Sequence, residues 1–162
     1  MKVKEEDRTL KGRVYLLLLP LIVLSASVWF TQTKAGVVLT LIFTGYIYFL
    51  GFTFSSYLWS LNHSLKNKDL NLFSIQVFLL NLIGLLYSIF FLSINFLIPI
   101  SFILFYFLNR KNKTFLVLFP SWLKDFAYRL GVMVFICLMN VLAFWFNPYS
   151  QPIKYFLNEF WT

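Results

Sequence analysis

Ionisable side chains are scarce along most of this 162-residue chain. From Val14 to Asn109 there are only three lysines, one histidine and one aspartate, and from Leu130 to Asn147 there is no formal charge. A water-soluble fold presents charge on the outer face of nearly every element, so runs of this kind exclude one. There is one cysteine, Cys137, inside an apolar run, and a lone thiol excludes an intrachain disulfide or a paired-thiol redox centre. A single histidine, His63, leaves no second imidazole for metal or haem ligation; beside Asn62 and Ser64 at the end of an apolar run, it reads as an interfacial residue. No Asp, Glu, Lys, Arg or His falls inside an expected span, which removes the residue types needed for carboxylate-borne proton coupling or intramembrane aspartyl proteolysis. Gly-rich phosphate loops and serine-nucleophile motifs are also missing. These absences argue for a protein that is not an enzyme and that needs no cofactor or metal.

What is present is apolar surface. Hydrophobic residues make up 60% of the chain and charged residues 12%, against the roughly 45–50% and 25% usual in soluble domains. The expectation is an all-α, polytopic integral membrane protein: one membrane domain over 1–162 with about five transmembrane helices. The spans are expected at about 14–33, 36–61, 72–92, 95–109 and 130–147. The uncharged stretch Leu72–Leu108 sets the count, because its 37 residues would reach about 55 Å as one helix, nearly twice the ~30 Å hydrocarbon core. A break at Ser93-Ile94-Asn95, with Pro99 in the first turn of the next helix, folds it into a hairpin. Two crossings also leave Lys66 and Lys68 on the same side as Arg110, Lys111 and Lys113.

Lysine and arginine orient the spans. With the N-terminus in the cytoplasm and the C-terminus outside, 12 of the 14 basic residues are inside, and only Lys34 and Lys154 are outside. The net charge of +8 is thus a topological signal, and no nucleic-acid partner is implied. A cleaved leader is not expected, since the first apolar run carries no small-x-small site and leads straight into another. Asn62-His63-Ser64 and Asn112-Lys113-Thr114 match the glycosylation pattern but fall on the cytoplasmic side, so they read as chance matches. The expected home is a bacterial cytoplasmic (cell) membrane.

Two segments are expected to lie along the membrane surface. Over about 120–129, Pro120 opens a helix that gathers Trp122, Leu123, Phe126 and Leu130 on one face and Ser121, Lys124, Asp125 and Arg129 on the other. Trp122, Lys124, Phe126 and Arg129 are its candidate interfacial or partner-docking residues, with Lys124 and Arg129 placed for anionic headgroups. The tail from Pro148 carries Tyr155, Phe156, Phe160 and Trp161, an aromatic face suited to interface anchoring or an external partner.

Polar residues inside the spans are the remaining candidates, since each needs a partner or a cavity. Ser74, Asn81, Ser88 and Asn95 recur every seven residues, and Gly84 follows three after Asn81. That period holds one stripe against one neighbouring helix. As a packing seam, Asn81 would donate across an interface to Asn140 in the last span; as a pathway, the stripe with Gln76 and Asn140 would line a polar route. Gly51 and Ser55 form a small-xxx-small pair of a kind common in membrane helices. The sequence favours an accessory, assembly or regulatory subunit that contacts the lipid bilayer and a membrane-protein partner, or a second copy of itself. The alternatives are a small oligomeric transporter or channel, or a membrane immunity protein.

Overall fold

The computed structural model describes residues 2–66, 68–88 and 121–160, and all of the regular structure among them is helical. The elements are α1 (Lys2–Ser27), a 3-10 turn (Val28–Phe30), α2 (Thr33–Leu65), α3 (Lys68–Tyr87), α4 (Ser121–Trp145) and α5 (Pro152–Phe160). Four of these stretches are long and apolar enough to cross a membrane: Lys11–Phe30, Thr33–Ser64, Leu70–Tyr87 and Tyr128–Trp145. They correspond to the expected spans 14–33, 36–61, 72–92 and 130–147. The expected span 95–109 lies outside the described residues.

Helix directions follow from named contacts. The Tyr46 hydroxyl of α2 donates to the Leu17 carbonyl of α1 at 2.6 Å, and a two-residue turn at Thr31 and Gln32, both extended, joins the pair as an antiparallel hairpin. The α2–α3 connection is as short. Lys66 adopts a left-handed backbone (φ 49°) as the C-cap of α2, with its N–H donating to the Asn62 carbonyl at 2.7 Å, and α3 begins at Lys68. Helix α4 runs parallel to α1: the Asn140 amide donates to the Ser25 carbonyl, and Phe144 meets Trp29 edge-on at a centroid distance of 6.2 Å. Helix α2 is the common neighbour, with α3 on one side, α1 on another and α5 against it as well.

Two helix ends differ from the sequence expectation. The stretch after Leu61, where the expected span 36–61 ends, is helical up to Leu65 and again from Lys68, because a left-handed lysine can close a helix without the glycine that would advertise it. The segment 120–129, expected as a separate interfacial helix, is continuous with the last span from Ser121 to Trp145. The step in polarity at Leu130 divides the surface of α4, but its backbone hydrogen bonds run on regardless, and one Gly131 does not interrupt them.

Pro20 inside α1 removes the N–H that the Leu16 carbonyl would use, and its ring crowds the carbonyls one turn back. The Tyr46 hydroxyl donates to the Leu17 carbonyl, next to the one that Pro20 frees, so this turn of α1 gains a donor from α2. Serine and threonine hydroxyls are satisfied within their own helices in the same spirit. Thr40, Thr53, Ser56 and Ser27 each donate to the carbonyl four residues back, and Ser25 to the one three back.

The core groups Leu18 and Leu21 of α1 and Val28 of the 3-10 turn with Phe43 and Ile47 of α2 and Val134, Leu138, Val141 and Phe144 of α4. Apolar residues also cover the outside: Leu16 is 71% exposed, Leu86 63% and Ile136 61%. So much apolar area facing outward along four long helices is compatible with a membrane protein. Exposed aromatics stand at both ends of the bundle, with Tyr57, Trp59 and Tyr128 at one and Trp29, Phe30, Phe146 and Tyr149 at the other.

Candidate functional site

Among the described residues, the polar seam between α2 and α3 is closely packed at two glycines, Gly51 and Gly84. Ser74, Asn81, Gly84 and Ser88 are all buried, on the side of α3 that meets α2. Ser55 of α2 donates to the Ser74 carbonyl at 2.9 Å. One step along, Gly51 faces Asn81, and a Cβ added there would overlap the Asn81 carboxamide, with its Cγ at 2.6 Å. Further on, a Cβ at Gly84 would lie 2.6 Å from Tyr48 Cε1, so the tyrosine ring fills the space left by that glycine. The ring's hydroxyl also meets the Ser88 side chain. Ser55, Gly51 and Tyr48 thus engage Ser74, Asn81 and Gly84 in turn, the order of an antiparallel pair, and small residues let the two backbones close in.

Asn81 does not reach Asn140. Its Nδ2 donates to the Val77 carbonyl of its own helix at 2.8 Å, and its Oδ1 is buried with no hydrogen-bond partner. Near that oxygen is the position where a side chain would begin on Gly51 and where a Cα hydrogen stands instead. Such Cα–H···O contacts recur at helix–helix interfaces and are worth about 0.5–1 kcal/mol each. The cross-helix donation expected between Asn81 and Asn140 fails because the two sit on different helix pairs, Asn81 in the α2–α3 seam and Asn140 against α1.

Asn140 performs a separate task. Its Nδ2 donates to the Ser25 carbonyl at 2.8 Å, close to where α1 ends at Ser27 and tightens into the 3-10 turn. The last carbonyls of a helix lack intrahelical partners, so a side chain from a neighbouring helix acts as a cap. Cys137 is buried one turn before Asn140, and Ser25 lies beside it. Replacing Asn140 with leucine removes the donor while keeping the branching pattern of the side chain. The expected result is a loss of about 1 kcal/mol, the scale of interhelical hydrogen bonds inside membranes, read as a lower midpoint of thermal unfolding in detergent. An unchanged midpoint would show that the carbonyl finds another donor.

The other sequence candidates are distributed around this framework. Asn95 lies outside the described residues, as do the side chains of Trp122, Lys124 and Phe126, whose backbone belongs to the first turns of α4. Arg129 is exposed on α4, and His63 is exposed near the end of α2. Gln76 is exposed and does not share the buried side of Asn81. Among the described residues no group of three or more histidine, cysteine or acidic side chains could hold a metal. Sequence reasoning missed Tyr48, Tyr46 and the Gly36–Phe144 contact. Tyrosine in an apolar run reads as generic aromatic content, and the partner of a glycine becomes visible only when the register between two helices is known. No known protein family, curated protein or solved structure matches this chain.

Proposed function

We propose that this chain is a non-catalytic, multi-pass membrane protein that serves as an accessory, assembly or regulatory subunit of a larger membrane complex. The observation that carries this reading is the use made of the polar residues within the long helices. Ser55, Ser74, Asn81, Ser88 and Asn140 are engaged by neighbouring helices or by their own backbone. Of these, Ser55 and Asn140 tie one helix to another, while the Ser74, Asn81 and Ser88 donors are spent on carbonyls of α3 itself. A polar route for solute would need them turned toward a cavity.

The finer architecture belongs to the same proposal: five crossings of a bacterial cell membrane, with the N-terminus inside and the C-terminus outside. Its support is directional. Helix α3 is antiparallel to α2, hence parallel to α1 and α4, so the chain leaves α3 at the end of the bundle where α4 finishes and enters α4 at the opposite end. A further passage through the membrane between Ser88 and Ser121 satisfies that requirement. It also keeps Lys11, Arg13, Lys66, Lys68 and Arg129 at one end of the bundle, in accord with the positive-inside bias.

The test is purification of the full chain from its native membrane in a mild detergent. The expected result is stoichiometric co-purification of one or more integral membrane proteins. Recovery of a lone oligomer that conducts ions or transports a solute after reconstitution would replace the subunit reading with the transporter one.

A further inference from the structure

The C-terminal helix α5 divides into three sectors. Pro152 and Phe156 are buried, and Phe156 meets Trp145 of α4 edge-on at a centroid distance of 5.6 Å. About 100° further round the helix, Ile153 and Leu157 are 37% and 49% exposed. Another step round, Lys154 and Asn158 are exposed and polar. One helix thus presents a protein-facing stripe, an uncovered apolar stripe and a polar stripe, in that order.

Its position is fixed by the connector. Asn147 N–H donates to the Phe144 carbonyl, Tyr149 N–H to Asn147 Oδ1 and Gln151 N–H to the Asn147 carbonyl, at 3.0–3.1 Å. Gln151 then takes a left-handed backbone (φ 46°), and Pro152 opens α5 at the first helical position, where its missing N–H costs no hydrogen bond. The turn sends α5 back against α2, at the end of the bundle where α1 and α4 finish. The exposed aromatics Trp29, Phe30, Phe146 and Tyr149 stand at that same end.

We propose that α5 is seated in the membrane–water boundary, with Ile153 and Leu157 among the upper acyl chains and Lys154 and Asn158 toward the headgroups and water. The occupant of its uncovered apolar stripe is lipid. This proposal rests on the membrane reading above but not on the subunit role. Two points favour lipid: the stripe lies at the end of the bundle that carries the exposed aromatics Trp29, Phe30, Phe146 and Tyr149, residue types that prefer the interface, and the polar stripe stands beside it in the order an interfacial helix requires.

The test is nitroxide labelling of the full-length protein in vesicles of mixed phosphatidylcholine and phosphatidylglycerol. Single cysteines Ile153→Cys, Lys154→Cys, Leu157→Cys and Asn158→Cys are introduced on a Cys137→Ser background, with Ile136→Cys as a control on α4. Collision with oxygen, which partitions into lipid, is compared with collision with a water-soluble nickel chelate. Expected is a several-fold higher oxygen-to-nickel ratio at 153 and 157 than at 154 and 158, and the highest ratio at 136. Equal, nickel-rich values at all four α5 positions, with 136 still oxygen-rich, would overturn the seating of α5 and leave the membrane reading standing. Immobile labels at 153 and 157, shielded from both reagents, would overturn it in favour of a protein contact. A nickel-rich value at 136 would overturn both readings together.

Discussion

Gly51→Leu is expected to abolish the α2–α3 hairpin as a packed unit. The substitution puts four carbon atoms where the Asn81 carboxamide already lies, and even the first of them would come closer than the 3.0 Å that real Cβ atoms respect. Asn81 cannot swing away freely, because it is only 2% exposed and its Nδ2 is held on the Val77 carbonyl. Overpacking a close-packed site costs about 1–3 kcal/mol when side chains can adjust. Here the backbones themselves would have to separate, which would also break the Ser55–Ser74 hydrogen bond and lift Tyr48 off Gly84. Gly51→Leu should therefore yield little monodisperse protein in detergent. Gly51→Ala should fold with a midpoint lowered by the equivalent of about 1–3 kcal/mol. Adding Asn81→Ala to Gly51→Ala should recover much of that loss, because it removes the overlapping carboxamide together with the carbonyl that lacks a partner. Full-yield, parent-like unfolding of Gly51→Leu would show that the two helices do not pack closely at this point.

Four of the described helices could be located in the sequence because absence of charge is a coarse property, spread over some twenty residues and indifferent to detail. Helix ends depend on single residues, and there the sequence is less legible. Lys66 closes α2 with a left-handed backbone that lysine seldom adopts, so the polar stretch from Asn62 hides a helix that runs to Leu65 and another that starts at Lys68. The junction at Leu130 misleads in the opposite direction, since a sharp change in polarity suggests a break that the backbone does not make. The spacing of Ser74, Asn81 and Ser88 marks residues that share a side of α3, because a seven-residue repeat nearly matches two helical turns. Which helix that side meets, and in what register, is set by a turn only two residues long between Leu65 and Lys68. A one-residue change in that turn would bring Asn81 opposite a residue other than Gly51, so the pairing has no local signature. The same holds for Asn140, whose acceptor on Ser25 lies 115 residues away.

The contact between Gly36 and Phe144 gives the second large effect, and a double-mutant cycle reads it most directly. Phe144 is 3% exposed, its ring lies over Gly36, and a Cβ at that glycine would stand 2.6 Å from Phe144 Cζ. The edge-on Trp29 ring at 6.2 Å limits retreat on the other side. Truncating such a residue in a soluble core costs about 3–5 kcal/mol, from lost transfer out of water plus the cavity left behind. When the unfolded helices remain in lipid the transfer share largely vanishes, because acyl chains solvate a free phenyl ring as well as the protein does. The cavity and packing share persists, so Phe144→Ala is expected to cost about 2 kcal/mol, near half the soluble value. Gly36→Ala should cost about 1–3 kcal/mol through overpacking. The double variant should be more stable than the sum of the single changes predicts, by about 0.5–3 kcal/mol, since the added methyl group enters the space the phenyl ring has left. Strict additivity would show that the two residues do not touch in the folded protein. A positive coupling, measured by unfolding in mixed micelles, would place the start of α2 against the end of α4, the corner on which α5 rests. The same pair of changes would then show how firmly that corner holds the C-terminal helix: α5 should loosen in the single variants, where the corner is overfilled or hollow, and regain its order in the double variant.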